Sequence, residues 1–257
     1  MTLRQERTDG TEHLSAIVNG SPASESDYSE SRSLRFAAQR QEWLAVGLSM
    51  IAGFVDAYGI ITYKTYVSFM SGNTTQAGFR IGQGDFGAVW PPAIAIVSFV
   101  SGTLAGALLA HSAVRQTRRL VFGLVATSLA LVISSTQLGL LSVVVHIAVV
   151  SLAMGLMTTA MSQVGEQSVN VTFVTGPLTR LGSHLALALR RAPLSDSEGS
   201  WDTHWHRALV LARVYAGFLG GALFSGATMR LGVLVLLFPM LILSALAVFD
   251  PTEGAGV

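Results

Sequence analysis

Six runs of apolar side chains, residues 43–61, 93–110, 120–135, 138–161, 209–228 and 231–249, carry almost no charge and together make up nearly half of the chain. A hydrocarbon core about 30 Å thick is crossed by around 20 helical residues, so runs of this length match a bilayer. None alternates with a period of two, and an open sheet cannot satisfy its edge groups in lipid, so helices are expected. The third and fourth runs nearly merge through Thr136-Gln137-Leu138-Gly139, which reads as a tight uncharged turn.

Charge supports that reading. Charged residues make up 12% of the 257, about half the share usual in soluble domains, and the net charge of +1 gives no footprint for nucleic acid. With no cysteine, thiolate metal sites, disulfides and a thiol nucleophile are all excluded. With the N-terminus taken as cytoplasmic, the inner flanks hold Arg32, Arg35, Arg40, Arg115, Arg118, Arg119, Arg180, Arg190, Arg191 and Arg207. The outer flanks hold only Lys64, Arg80 and Arg230, a bias that predicts both termini inside. The first apolar run starts only near Trp43, far behind any plausible basic n-region and with no small-residue cleavage site before it, so no cleaved leader is expected. Residues 1–42 are rich in Ser, Glu, Arg and Gly and are expected to form a disordered cytoplasmic tail, with 251–257 as a short C-terminal one.

The chain repeats itself. Residues 69–78 read FMSGNTTQAG and residues 173–182 read FVTGPLTRLG, so both fit F-x-[ST]-G-x-x-T-x-x-G without a gap. Downstream, Gly102 and Gly106 stand in a G-x-x-x-G-A-L that recurs at Gly217 and Gly221, and Arg119-Leu120 recurs as Arg230-Leu231. Each half, 43–137 and 138–250, then holds one span before its motif and two after it. An odd number of crossings inverts the second half relative to the first, an arrangement common in secondary transporters.

In each motif a hydroxyl residue precedes a glycine, and Pro177 follows Thr175 by two positions. Proline suits a first helical turn and Ser or Thr suits the position before it. Ser71 and Thr175 are therefore expected to cap short helices running to about Ile81 and Leu189. Helix N-termini favour anionic or polar ligands. Here the sequence resembles the YoaK-like family of bacterial integral membrane proteins, which carry a domain of unknown function. The resemblance rests on Gly53-Phe54-Val55-Asp56-Ala57, on Phe69-Met70-Ser71-Gly72-Asn73-Thr74-Thr75 with Gly78, and on Thr175-Gly176-Pro177-Leu178-Thr179. It covers roughly residues 40 to 250. It implies a multi-spanning fold and supplies no activity.

Asp56 lies within the first run, where a carboxylate costs roughly 2.5–3.5 kcal/mol on insertion scales, so it is a candidate for binding a solute, cation or proton. The alternative is a structural hydrogen bond. Ser71, Gly72, Asn73, Thr74 and Thr75 would line the same site from the first motif, with Glu166, Asn170, Thr175, Gly176 and Thr179 from the second. His146 is expected to bond a neighbouring helix, and His204 and His206 with Trp201 and Trp205 to form an interfacial belt. Gly102, Gly106, Gly217 and Gly221 are expected to pack helices, between repeats or between protomers of a homo-oligomer.

The expectation is an all-α membrane protein of about six transmembrane helices in two inverted three-helix repeats, each with a capped half-helix after its first span, in a bacterial inner membrane. Its partners would be the bilayer and an unidentified small solute. Transport or permeation is the leading function, assembly without transport the alternative, and an intramembrane enzyme the weakest. No G-x-S-x-G or H-E-x-x-H occurs, and no catalytic residue, metal or cofactor is expected.

Overall fold

A computed structural model describes residues 25–111, 116–162, 175–194 and 201–249, with 197 and 199 between the last two stretches. Among the described residues there is no strand. The chain falls into two units, 1–37 and 38–257. In the first, the described part is helical from Glu25, which corrects the disordered reading for 25–42. The second unit holds the bundle.

The helices are α1 Glu25–Tyr63, α2 Met70–Gly82, α3 Trp90–Ala110, α4 Thr117–Leu138, α5 Val143–Ser162, α6 Thr175–Leu189, α7 His204–Thr228 and α8 Leu237–Phe249. A 3₁₀ turn, Phe86–Val89, leads into α3, whose Pro91 and Pro92 fall in the first turn, where a missing N–H costs nothing. Thr203 caps α7 by accepting from the His206 amide at 3.1 Å. Between α4 and α5 the run expected at 138–161 is broken. Gly139 adopts a left-handed conformation (φ 63°), the amides of Gly139 and Leu140 close onto Thr136 and Ser135, and helix resumes only at Val143.

Among the described residues, four stretches are long and apolar enough to cross a membrane: Arg35–Tyr63, Phe86–Ala110, Thr117–Leu138 and His204–Phe249, with the shorter apolar Val143–Thr159 beside them. The last of the four has 46 residues. Straight, it would extend about 69 Å, twice the hydrocarbon core. Gly232 divides it, at φ 59° and ψ −137° inside the 3₁₀ stretch Met229–Leu236. The expected helical run over 231–249 therefore becomes a 3₁₀ stretch followed by the thirteen-residue α8.

Two helix pairs carry the tightest packing, and they are built alike. On α1 and α7, a Cβ at Gly53 would collide with the carbonyl oxygen of Phe218, and one at Gly221 with that of Met50. Gly217 faces Val46, and the Ser49 hydroxyl donates to the Val214 carbonyl at 2.8 Å. Four residues along α1 correspond to four in the same direction along α7, so the pair is parallel. On α3 and α5, a Cβ at Gly155 would collide with the Phe99 carbonyl, one at Gly102 with the Leu152 carbonyl, and one at Gly106 with the Thr159 side chain. Such backbone-to-backbone approach is what small residues permit in lipid.

The packing also corrects the register of the repeat. The G-x-x-x-G-A-L match equates Gly102 with Gly217, whereas the contacts equate it with Gly221, one turn further along α7. Around these pairs α2 packs on α3, α6 on α7, α4 on both α5 and α8, and α1 meets α8 through the rings of Phe54, Phe224 and Phe238.

Glycines with no room differ measurably from glycines with space. Gly53→Ala or Gly155→Ala must push two backbones apart and is expected to destabilise by about 1–3 kcal/mol. Gly78 and Gly182 lie within helices with nothing near an added Cβ. Their alanine variants are expected to be neutral or stabilising by up to about 1 kcal/mol, the helix propensity of alanine over glycine. Thermal unfolding of the four variants in one detergent checks the ordering.

Candidate functional site

α1 ends at Tyr63, yet the chain does not run away from it. Residues 64–69 turn back along α1 until the Val67 and Ser68 amides meet Asp56 Oδ1 at 2.9 and 2.8 Å. The Ser68 hydroxyl donates to Oδ2 at 2.7 Å. Asp56 stands two helical turns before the end of α1, about 10 Å along its axis, so α2 starts well below that end. Helix-free backbone at such depth needs internal partners, and the buried carboxylate supplies them. Asn73 holds the linker from the other side, accepting from the Tyr66 amide at 3.0 Å and donating to the Tyr66 carbonyl at 2.7 Å. Gln76 Nε2 donates to the Lys64 carbonyl at 3.0 Å, and Lys64 takes a left-handed φ of 58° at the turn.

Asp56 and Asn73 were expected to line a solute site. Their bonds here are to the linker, and both side chains are buried. Ser71 was expected to cap α2; instead the helix starts at Met70 with Phe69 before it and no side-chain cap. Linker geometry, not a local hydroxyl, sets that boundary. Gly72 is needed because a Cβ there would strike the Phe69 ring, which stands edge-on to Tyr66 at 5.2 Å. Thr175 is the first residue of α6, not the residue before it, and its side chain lies outside the described residues. Glu166 and Asn170 also lie outside them.

What the motif leaves open is a helical face. Ser71, Thr75 and Gly78 recur at i, i+4 and i+7, and all three are exposed. An added Cβ at Gly78 or Gly82 would meet nothing within 4 Å. Thr74 is exposed too, its hydroxyl bonded back to the Met70 carbonyl at 2.9 Å. On α6 the matching positions Thr179 and Gly182 are exposed, with space over Gly182 and over Gly176. Asn73 and Pro177, which share one position of the motif, are both buried. α2 packs on α3 and α6 on α7, so each open face belongs to its own half of the bundle.

Other polar groups that a scan for motifs could not join are joined by the fold. The Tyr58 and Tyr63 hydroxyls lie 3.3 Å apart, the Tyr63 ring lies 6.5 Å from that of His146, and His146 Nε2 bonds Ser135 Oγ at 2.8 Å. The Ser135 hydroxyl also lies 3.1 Å from the Val132 carbonyl of its own helix. His146 thus bonds a neighbouring helix, as expected. The belt reading does not hold for His204, which is buried and meets His184 Nδ1 to Nδ1 at 2.9 Å. His206 bonds Glu42 at 2.8 Å, and Arg207 grips Asp202 through two buried bonds of 2.9 and 2.6 Å. Nothing in the spacing of these residues announces their partners.

Replacing Asp56 separates anchoring from charge. Asp56→Ala strands two buried amides and is expected to cost on the order of 3 kcal/mol. Asp56→Asn keeps one oxygen for both amides, while the Ser68 hydroxyl can turn to accept, so it should cost about 1 kcal/mol or less. Thermal unfolding of both variants tests this; equal losses would mean that the negative charge itself is needed.

The family described as "Protein of unknown function (DUF1275)" matches residues 44–249, and the chain belongs to it. A UPF0700 transmembrane protein of Rhizobium meliloti (strain 1021) is 30% identical over 142 residues, 55% of this chain and 60% of that relative. No solved structure matches.

Proposed function

On the premise of that membership, we propose that this helical membrane protein is a small-solute transporter or permease of the bacterial inner membrane, with both termini cytoplasmic. It is read as six crossings, α1, α3, α4 and α5, α7, α8, in two inverted repeats with α2 and α6 as half-helices. The observation that carries the reading is an exchange symmetry of the contacts. Replacing α1, α2, α3 and α4 by α5, α6, α7 and α8 turns α1/α7 into α5/α3, α2/α3 into α6/α7 and α4/α5 into α8/α1. It maps α4/α8 onto itself. The residues obey it as well: Gly53 on Phe218 becomes Gly155 on Phe99, and Gly221 on Met50 becomes Gly102 on Leu152. Inverted repeats joined this way characterise secondary transporters, whose half-helices meet the substrate.

The solute would contact the exposed faces that carry Ser71, Thr75 and Gly78 on α2 and Thr179 and Gly182 on α6. An anion at the start of α2 is disfavoured, because the Asp56 carboxylate already occupies the positive end of that helix. A neutral polar or cationic solute fits better. A second reading, an assembly protein without transport, draws on one fact: Asp56 and Asn73 are committed to the linker.

A thermal-shift panel of polyols, sugars, amino acids, cations and anions on the purified protein tests the proposal. Gly78→Leu and Gly182→Leu extend from positions where an added Cβ meets nothing within 4 Å, so both are expected to unfold close to the parent. A bound solute at 100 times its dissociation constant stabilises the parent by about 2.7 kcal/mol, and this gain should vanish in both variants. A panel with no effect on the parent would replace transport by assembly.

A further inference from the structure

We propose that Arg213, Arg40 and Trp43 hold the phosphate of an anionic phospholipid at the end of the bundle where the apolar run of α1 begins. None of these residues belongs to the transport reading, so the site stands or falls without it.

Arg213 is a cation on a helix face that lipid does not tolerate bare. The Ser49–Val214 bond sets its Cα level with about Leu48 of α1, roughly 7.5 Å further into the apolar run than Trp43. Its guanidinium nevertheless lies over the Trp43 ring, 5.8 Å from the centroid. The side chain therefore runs back toward the start of both helices, the direction in which helical Cα–Cβ bonds point, and carries its charge to the depth of Trp43. Tryptophan favours headgroup level. The Glu42–His206 and Asp202–Arg207 pairs mark the same end of α1 and α7 as polar.

The charge there is not neutralised from within. Arg213 and Arg40 are both exposed, and among the described residues neither lies within ion-pair distance of a carboxylate. Glu42, close to Arg40 in sequence, is taken by His206 at 2.8 Å. Arg40 precedes Trp43 by three positions, so the two are neighbours on one face of α1. Two guanidinium groups thus border one exposed ring. The anion that a bilayer supplies at this depth is the lipid phosphate, which a guanidinium fork binds through two parallel hydrogen bonds. The indole N–H of Trp43 is a further donor. Two cations together favour a headgroup that is itself net negative over a zwitterionic one.

Deeper in the membrane the surface beside the ring is shallow. Gly47, one turn beyond Trp43, and Gly220, two turns beyond Arg213, have nothing within 4 Å of an added Cβ, and Ala216 on α7 is exposed. An acyl chain can lie over these small residues. The other close pair has no such site. By the correspondence of Gly53 with Gly155 and of Phe218 with Phe99, the equivalents of Arg40, Trp43 and Arg213 are Ser142, Val145 and Ile94, which carry neither charge nor indole. One lipid per chain is expected.

Titration of phosphatidylglycerol into the purified chain in dodecyl maltoside, with retained lipid counted by native mass spectrometry, tests the site. The parent should retain one phosphatidylglycerol more tightly than the next, and more tightly than it retains phosphatidylcholine. Arg213→Gln and Arg40→Gln should each weaken that first lipid by about fivefold, the weight of one basic side chain at an anionic lipid surface. Trp43→Leu should weaken it with the charges left in place, and Arg230→Gln, at an exposed position outside the site, should leave it unchanged. Thermal unfolding without added lipid shows which variants fold; if one does not, the others still read the same site. Equal retention of phosphatidylcholine, or undiminished retention of phosphatidylglycerol in the site variants, would overturn the proposal. Inorganic phosphate that raises the unfolding temperature of the parent as much as the lipid does, with the gain lost in Arg213→Gln, would put a free anion in place of the lipid and overturn it too. A dimer that Trp43→Leu dissociates would assign the face to a second copy of the chain instead.

Discussion

A buried carboxylate meeting two backbone amides of an irregular segment is the contact on which the rest of this bundle depends. A chain leaving a membrane helix normally stays in water, because unpaired N–H groups are costly in lipid. Asp56 removes that cost for Val67 and Ser68, and the Ser68 hydroxyl and Asn73 complete the accounting for the linker. With those bonds the chain turns back into the bundle and starts α2 beside α3. Without them the open face of Ser71, Thr75 and Gly78 would have no fixed depth. The charge and the linker stabilise each other: neither would be tolerated there alone.

The second constraint is steric, and it sets which helices pair most closely. A glycine on one helix needs a bare stretch of backbone on its partner. Gly53 finds it at Phe218 and Gly155 at Phe99, so the first helix of each repeat is matched to the third helix of the other. Size is conserved as well as position. Thr159 of α5 faces Gly106 of α3, and the equivalent positions hold Ala57 and Ser225, so the hydroxyl-bearing residue has changed helices while the pair keeps one small member.

The apolar runs of α1, α3, α4 and α7 were legible because the pressure on them is uniform: every residue in lipid must be apolar or paired. Both short helices, α2 and α6, were legible from a ten-residue repeat, and their observed ends, Gly82 and Leu189, lie within a residue of the sequence estimate. Three things were not. Ser71 reads as a cap by local rules, but the start of α2 is fixed by Asp56 and Asn73, residues on either side of a linker that only the fold brings together. The helical start at Glu25 was hidden because low apolar content speaks about burial and says little about local helix formation. The glycine register was misread by one turn because α7 carries glycine at both 217 and 221, and sequence alone cannot say which one faces the carbonyl.

The candidate site was half legible for a related reason. Polar residues inside a membrane announce that something must be paired, and they do not announce with what. Asp56 and Asn73 proved to be paired with backbone, whereas the plainer Ser71, Thr75 and Gly78 kept an open side. The symmetry itself is incomplete at this point. The position equivalent to Asp56 is Thr158, whose hydroxyl bonds the Met154 carbonyl of its own helix at 2.9 Å. A carboxyl group therefore stands beside the start of the first short helix, and this position gives none to the second. Two short helices alike in sequence are thus anchored differently, the first through a carboxylate on the segment before it and the second without a counterpart at that position.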